Sequence, residues 1–426
     1  MISAKQLFQA LAAIVVTCQV VTAAATETSQ WTLESATRRI LEVSPEHRAA
    51  EAEIDVRKGE LTQADAWPNP TIELRADDKL GQETGRGGSN LTQIAISQPL
   101  PFRRLERQLA VAEANFRGAQ EVRRYQRLTL EREAARVFHT LQFAEARVRL
   151  ARSRLELVEG YGSSGPGVKG RDPLVRYLTP LDRMRLAVMR EEAGQTVLAA
   201  EQDYQKALIE FRSLLALSAD AAVQAAQLEL AATPPELVGL ERNLETHPLL
   251  AAVGEEVAAA RGGVALAESQ RFDDPTFNLF YERDFINNER SDVIGFGVSF
   301  QIPLWNQNRG PVAKARAEAM RAQAQFEMRR RDTLTLLRQG YTDLARLLEQ
   351  AQRTHANLLE PARQVFELTG RGFATGEANI LALVDANNTY FDARSRHLEL
   401  LKETQNAAAE LRFAAGIPLT GSEAKP

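Results

Sequence analysis

The chain repeats itself. Two stretches about two hundred residues apart carry the same order of signals: a proline-bounded helix, an alternating strand, a polar loop, a second strand stopped by proline, and a very long helix. Pro45 to Pro70 reads as a helix ending in Ala66-Trp67-Pro68-Asn69-Pro70, followed by the strand Thr71-Ile72-Glu73-Leu74. Pro248 to Pro275 repeats it, with Asp274-Pro275 before Thr276-Phe277-Asn278-Leu279. Ile96-Ser97-Gln98-Pro99-Leu100-Pro101-Phe102 likewise matches Val298-Ser299-Phe300-Gln301-Ile302-Pro303-Leu304. A duplication on this scale constrains the fold more than any local motif does, because it demands two similar halves packed side by side. No catalytic centre is needed to explain it.

The long helices carry a coiled-coil period. Leu130, Ala134, Val137, Leu141, Ala144, Val148, Ala151, Leu155 and Val158 step by three and four, as do Leu334, Leu337, Tyr341, Leu344, Leu348, Ala351, His355 and Leu358. A helix from Phe102 to Val158 would reach roughly 85 Å at about 1.5 Å per residue. Each arm runs to a glycine-containing turn, one over Gly160 to Pro180 and one over Gly370 to Gly376. Return helices over Leu181 to Leu215 and Ile380 to Ala415 complete two helical hairpins. Ala, Leu, Arg, Glu and Gln dominate the composition, as long helices require.

The strands alternate with period two. Ile294, Phe296, Val298 and Phe300 interleave with Val293, Gly295, Gly297 and Ser299, and Thr92, Ile94 and Ile96 with Gln93, Ala95 and Ser97. Polar loops, Asp77 to Ser89 and Asp284 to Asp292, join each pair. Two readings fit: membrane-spanning hairpins, or surface hairpins on a helical protein. If lipid is the surroundings, four strands cannot close a barrel and an open edge is not tolerated there. Three chains would then pool twelve strands, an even number within the range of outer-membrane barrels.

The N-terminus reads as a secretory signal: Lys5, the apolar run Leu7 to Val16, then Thr22-Ala23-Ala24-Ala25. Cys18, the only cysteine, falls inside it: it is either the lipidated cysteine of a lipoprotein or, if the peptide is simply removed, lost with it, leaving a chain with no disulfide and no thiolate metal site. No later stretch approaches the roughly 20 apolar residues of a transmembrane helix. A net charge of −4 argues against nucleic acid as a partner. The expected divisions are a signal peptide over 1–25, a first repeat over 26–217 with strands near 70–98, a linker over 218–246, a second repeat over 247–416 with strands near 275–301, and a tail over 417–426.

This order of elements resembles the TolC-like outer-membrane factors, or outer membrane efflux proteins, over essentially the whole mature chain. The local matches are Trp67-Pro68-Asn69-Pro70 before the first strand, Pro303-Leu304-Trp305-Asn306-Gln307-Asn308-Arg309-Gly310 after the fourth, Gly376 with Leu383-Val384-Asp385-Ala386 at the second turn, and Leu411-Arg412-Phe413-Ala414-Ala415-Gly416 at the end of the last helix. The first two look most like the heavy-metal branch. The resemblance implies an α+β membrane protein with long helical coiled-coil hairpins and four transmembrane strands per chain. A homotrimer would form the twelve-stranded β-barrel in outer-membrane lipid and a periplasmic α-barrel tunnel. It implies an exit duct, not an enzyme, without cofactor, serving a periplasmic adaptor (membrane fusion protein) and an inner-membrane RND pump for divalent heavy-metal cations. Multidrug efflux and type I protein secretion remain as alternative cargoes, and a periplasmic coiled-coil adaptor as an alternative class.

Candidate functional residues gather at the turns. Asp182 and Asp385 stand at equivalent places at the starts of the two return helices, where trimerisation would make rings of carboxylates at a narrow mouth. Each is also an acid that a helix N-terminus stabilises by its dipole. The resemblance implies a gate with a tyrosine and an arginine, and a further acid before the second aspartate, but Phe373, Ala378 and Ala382 stand at those positions. Packing, or the Gly160 to Pro180 segment, is therefore expected to hold the gate. Adaptor-docking candidates are Leu178, Thr179 and Pro180 on one tip, and Arg371, Gly372, Gly376 and Glu377 on the other. Gly370 and Gly372 read as helix caps. His47, His139, His247, His355 and His397 are scattered, and no helix carries two at ligand spacing, so no metal site is expected. His355 falls on a core position of the heptad.

Overall fold

The computed structural model describes residues 30–77, 91–162, 179–286 and 289–420. The expected signal peptide with Cys18, the first strand loop, most of the first tip including Leu178, and the end of the tail lie outside the described residues.

Helices α1 (Leu33–Val43) and α2 (Pro45–Asp65) lead into strands β1 (Thr71–Asp77) and β2 (Leu91–Pro99). The long α3 (Arg104–Gly162) follows, and α4 (Pro180–Leu214) returns along it. In the second half come α5 (Leu237–Asn243), α6 (Pro248–Ser269), β3 (Thr276–Ile286) and β4 (Glu289–Ser299). Then α7 (Arg309–Thr354), a π-turn over His355–Leu359 and α8 (Glu360–Thr375) form one arm, and α9 (Ile380–Ala414) returns along it. The starts are set locally. Ser44 caps α2 by accepting from the His47 N–H at 3.2 Å, and Pro45 occupies the first turn, where its missing N–H costs nothing. His247 does the same before Pro248, accepting from the Leu249 N–H through Nδ1 at 3.2 Å.

The α3 period is realised in packing: Leu130, Ala134, Val137, Leu141, Ala144, Val148, Ala151 and Val158 are all buried. At 59 residues α3 is about 90 Å long, the spine of the molecule. Near the sheet it packs α2 and α6. Further along it packs α4 and α9. There are two main cores, one per half. Ala36 and Ile40 of α1 meet Leu141 of α3, Phe211 of α4 and Leu215 just beyond it, while Leu240 of α5 meets Leu337 and Leu344 of α7 and Leu411 of α9. Ion pairs rung the α3–α4 hairpin, Arg136–Glu210 at 2.7 Å, Arg147–Asp203 at 3.0 Å and Arg152–Glu201 at 2.6 Å. Exposed pairs of this kind contribute about 0–1 kcal/mol each, so register rather than stability is their role.

The linker touches both halves: Gln405 Nε2 of α9 donates to Glu229 O at 3.0 Å, and the start of the chain meets it from the other half. Trp31 bridges Ala225, its N–H donating to Gln224 O at 2.8 Å and its own carbonyl accepting from the Ala226 N–H at 2.9 Å.

The second arm departs from the heptad at one point. Leu337, Leu344, Leu348 and Ala351 are buried as expected, but His355 and Leu358 are exposed. The π-turn absorbs one additional residue; beyond it Ala362 keeps its heptad place, and the buried face then falls one position later, on Phe373 rather than Gly372. The placement of His355 in the core is thereby corrected.

Candidate functional site: the bare sheet and the hairpin tips

The strands form one antiparallel sheet in the order β1-β2-β3-β4, so the two repeats join through the β2–β3 pair. Register aligns the alternation across all four strands. Ile72 faces Ile96, Ile96 faces Leu279, and Leu279 faces Phe296; the next row is Leu74, Ile94, Tyr281 and Ile294. One face of the sheet is therefore continuous apolar surface, and none of the described residues covers it: Ile294 is 77% and Phe296 78% exposed. The opposite face carries Glu73, Arg75, Gln93, Asn278 and Glu282, with small residues where the backbones crowd. Gly295 is one of them, because a Cβ there would stand 2.4 Å from the Phe280 ring. Below the sheet lie exposed Trp67, Phe102, Phe300 and Trp305, the last 92% exposed. Patches this size on a chain that must be soluble would be a liability, whereas apolar strands flanked by aromatics suit a lipid boundary.

At the far end, Asp182 is committed to its own helix. The Thr179 N–H and O–H donate to its Oδ2 at 3.1 and 2.6 Å, its own N–H donates to Thr179 Oγ1 at 3.2 Å, and Arg185 approaches Oδ1 at 3.8 Å. These hydrogen bonds, the Thr179 side chain's first, hold its carboxyl below the usual carboxylate range. Asp385 is not its equivalent, contrary to the reading from sequence. Asn379 caps α9 by accepting from the Ala382 N–H at 2.8 Å, so Ala382 occupies the position that Asp182 holds on α4, and exposed Asp385 stands a turn further along.

Thr179 and Pro180 are exposed at the start of α4, and Arg371, Gly376 and Glu377 at the other tip. Gly370 and Gly372 are not caps. Helix α8 runs past them to Thr375, and Gly376 closes it in the left-handed conformation with φ +82. The Glu377 and Ala378 N–H groups then donate to Gly372 O at 2.8 and 3.0 Å. Gly160 too lies within a helix, α3, rather than in the turn.

The tips are joined by packing. Phe373 is only 8% exposed and lies in a cluster with Leu186 of α4 and Ile380 and Leu383 of α9, its ring edge-on to Tyr161 at 6.2 Å. Behind it is a polar tie that sequence reasoning missed. Arg154 of α3 donates to Asn387 Oδ1 at 3.3 Å and to Asn388 Oδ1 at 2.6 Å. Its sequence signal is Asn387 itself, four residues beyond Leu383 on the core stripe of α9 and fully buried.

Among the described residues no helix is long and apolar enough to cross a membrane, and no group of three or more His, Cys, Asp or Glu could hold a metal. Three histidines have structural partners. His139 Nδ1 meets Asn406 Oδ1 at 2.9 Å, His247 caps α6, and His47 Nε2 lies 3.5 Å from Glu51. His355 and His397, on opposite arms of the second hairpin, are brought together.

A long helical shaft joined to a small sheet with a bare apolar face is the architecture of outer-membrane channel proteins. The chain belongs to the outer membrane efflux protein family, whose sequence pattern it matches over residues 36–160 and 239–417. It is 27% identical over 371 residues to the cobalt-zinc-cadmium resistance protein CzcC of Cupriavidus metallidurans, covering 85% of this chain and 84% of that one. In fold it resembles CusC, whose crystal structures concern transmembrane channel formation, with a TM-score of 0.74 at 16% identity over 92% of this chain and 93% of that one. The open state of the Neisseria gonorrhoeae MtrE outer membrane channel gives a TM-score of 0.70 at 15% identity over 91% and 89%.

Proposed function

We propose that this protein is the outer-membrane exit duct of a tripartite efflux system for divalent heavy-metal cations. The observation that carries the duct is the sheet. Among the described residues its apolar face is bare and β1 and β4 each pair on one side only. Backbone groups left open in lipid cost several kcal/mol each, so the edges must find partners in other copies. Three chains supply twelve strands and close the barrel, β1 of one copy beside β4 of the next. The helical hairpins then stand in the periplasm as a tunnel, with the tips at its mouth. Family membership removes the adaptor alternative.

In this reading Phe373 and the Arg154–Asn387–Asn388 tie hold the tips together, and Asp182 and Asp385 place carboxylates near the mouth. Leu178, Thr179, Pro180, Arg371, Gly372, Gly376 and Glu377 form the surface offered to a periplasmic adaptor, which connects the duct to an inner-membrane RND pump. The cargo follows from similarity to CzcC along most of the chain. A duct need not bind what it passes.

The test is growth of a deletion strain on zinc, cobalt, cadmium, nickel, copper and silver salts beside bile salts and lipophilic dyes. Metal sensitivity alone, restored by the gene, is expected and names the ion. Sensitivity to dyes alone would move the protein to multidrug efflux.

A further inference from the structure

His355 and His397 are 42 residues apart in sequence and on different helices, yet their ring centroids lie 5.2 Å apart with planes inclined at 58°. His397 belongs to α9, and its Nδ1 is buried with no hydrogen-bonding partner. A buried ring nitrogen without a partner is uncommon enough to need an explanation, and a ligand is one of the few available. His355 opens the π-turn, the one place where the arm takes in an additional residue; π-turns in α-helices are frequently found at functional sites.

The spacing has a chemical meaning. Zinc–nitrogen bonds are about 2.1 Å, and an imidazole centroid lies about 1.2 Å beyond its ligating nitrogen. Two imidazoles sharing a tetrahedral ion therefore place their centroids about 5.4 Å apart. The observed 5.2 Å is within rotamer adjustment of that value. Glu360 is close enough for the His355 charge to act on it, but its carboxylate pairs with Arg363. The donor set is thus two imidazoles, with water left to complete the coordination shell.

We propose that His355 and His397 form a two-histidine site for a borderline transition-metal dication such as zinc, cobalt, nickel or copper. Imidazole suits these ions, and magnesium or calcium would prefer oxygen. With only two protein donors the site exchanges its ion readily. A bound ion links α9 to the other arm at the π-turn and stiffens the hairpin there. The site rests on the geometry of the pair and not on the cargo proposed above, so a dye-only growth phenotype would leave it standing.

The experiment is zinc titration of the detergent-purified full-length protein, carrying no histidine tag, by calorimetry at neutral pH, beside His355→Ala, His397→Ala and the more conservative His355→Gln and His397→Gln. One zinc per chain is expected, with affinity falling at least about tenfold in each variant, since loss of a ligand should cost no less than loss of an outer-shell partner. Copper(II) electron paramagnetic resonance should show nitrogen coupling that each substitution alters, and zinc should raise the melting temperature of the wild type alone. Equal zinc affinity in wild type and in variants that keep the wild-type circular dichroism would overturn the site. So would no binding up to millimolar zinc.

Discussion

Replacing Phe373 by alanine tests whether the tip is held by packing. A buried Phe→Ala change costs about 3–5 kcal/mol, part of it the cavity left behind. Phe373 belongs to a small cluster at the free end of the shaft, where neighbours can settle into the space, so the low end applies, about 3 kcal/mol. This includes about 0.5–1.5 kcal/mol from the edge-on contact with Tyr161. At about 1.4 kcal/mol per tenfold, local opening of the tip rises roughly 100-fold. Hydrogen exchange reads this opening directly, as faster exchange of the amides between α8 and the start of α9 with the distant core near Leu337 unchanged. Single-channel recording should show a higher open fraction in the same variant. Tyr161→Phe keeps the ring and removes only a hydroxyl, so it should leave both readings at wild-type values. Wild-type exchange at the tip in Phe373→Ala, in protein that still assembles, would refute the packing account, and so would an effect of Tyr161→Phe as large as that of Phe373→Ala.

The polar tie gives a second prediction. Arg154→Ala strands the Asn387 carbonyl beside its already unpartnered, buried Nδ2, and should cost about 1–3 kcal/mol, seen as a lower melting temperature and a higher open fraction. Glu131, 1% exposed, pairs with Arg127 at 2.9 Å and accepts from the Leu419 N–H at 2.6 Å and the Thr420 hydroxyl at 3.1 Å. Glu131→Ala should cost about 3–5 kcal/mol, read as a lower melting temperature, with Glu131→Gln milder. Burial, opposed by a hydrogen bond in each case, pushes His139 and His247 below their ordinary 6.5. The unfolded chain therefore binds more protons than the folded one as pH falls below that value, so stability held above it is lost toward acid, and His139→Asn should flatten the fall in melting temperature between about pH 7 and 5. Gly376 at φ +82 predicts about 1–2 kcal/mol lost in Gly376→Ala and less in Gly376→Asn, whereas Glu377→Lys, which leaves the backbone alone, should impair export without changing the melt if this tip docks an adaptor.

Much of the fold was legible because its strongest forces are periodic. The α3 stripe from Leu130 to Val158 is buried as its spacing predicts, with Leu155 half-buried against the α3–α4 cluster. The strand alternation of Ile294, Phe296 and Val298 predicted one greasy face. That β2 pairs with β3, and so joins the repeats, was not legible, since alternation says which face a residue takes and nothing of its neighbour. At the tips the sequence paired the wrong residues. Thr179-Pro180-Leu181-Asp182 is a capping box, but the second return helix is capped by Asn379, which shifts Asp385 out of the first turn. Arg154 was missed because a tie between α3 and α9 spans 233 residues and leaves no local pattern beyond a buried asparagine.

The π-turn unites the largest misreading with the proposed metal site. A heptad carried past Ala351 puts His355, Leu358 and Val365 in the core, yet all three are exposed. Taking one residue into a single wide turn moves the stripe onto Phe373, where an unbroken heptad would put Gly372, and so lets Phe373 reach Leu186 and Leu383 at the tip. The same turn carries His355 out of the core and against His397. A straight α-helix of this sequence would offer its tip cluster a different face and bury a histidine with no use for it. Removing one residue within His355–Leu359 should therefore do two separable things: restore an uninterrupted helix, and uncouple the His355–His397 pair from the tip packing around Phe373, about four turns further along.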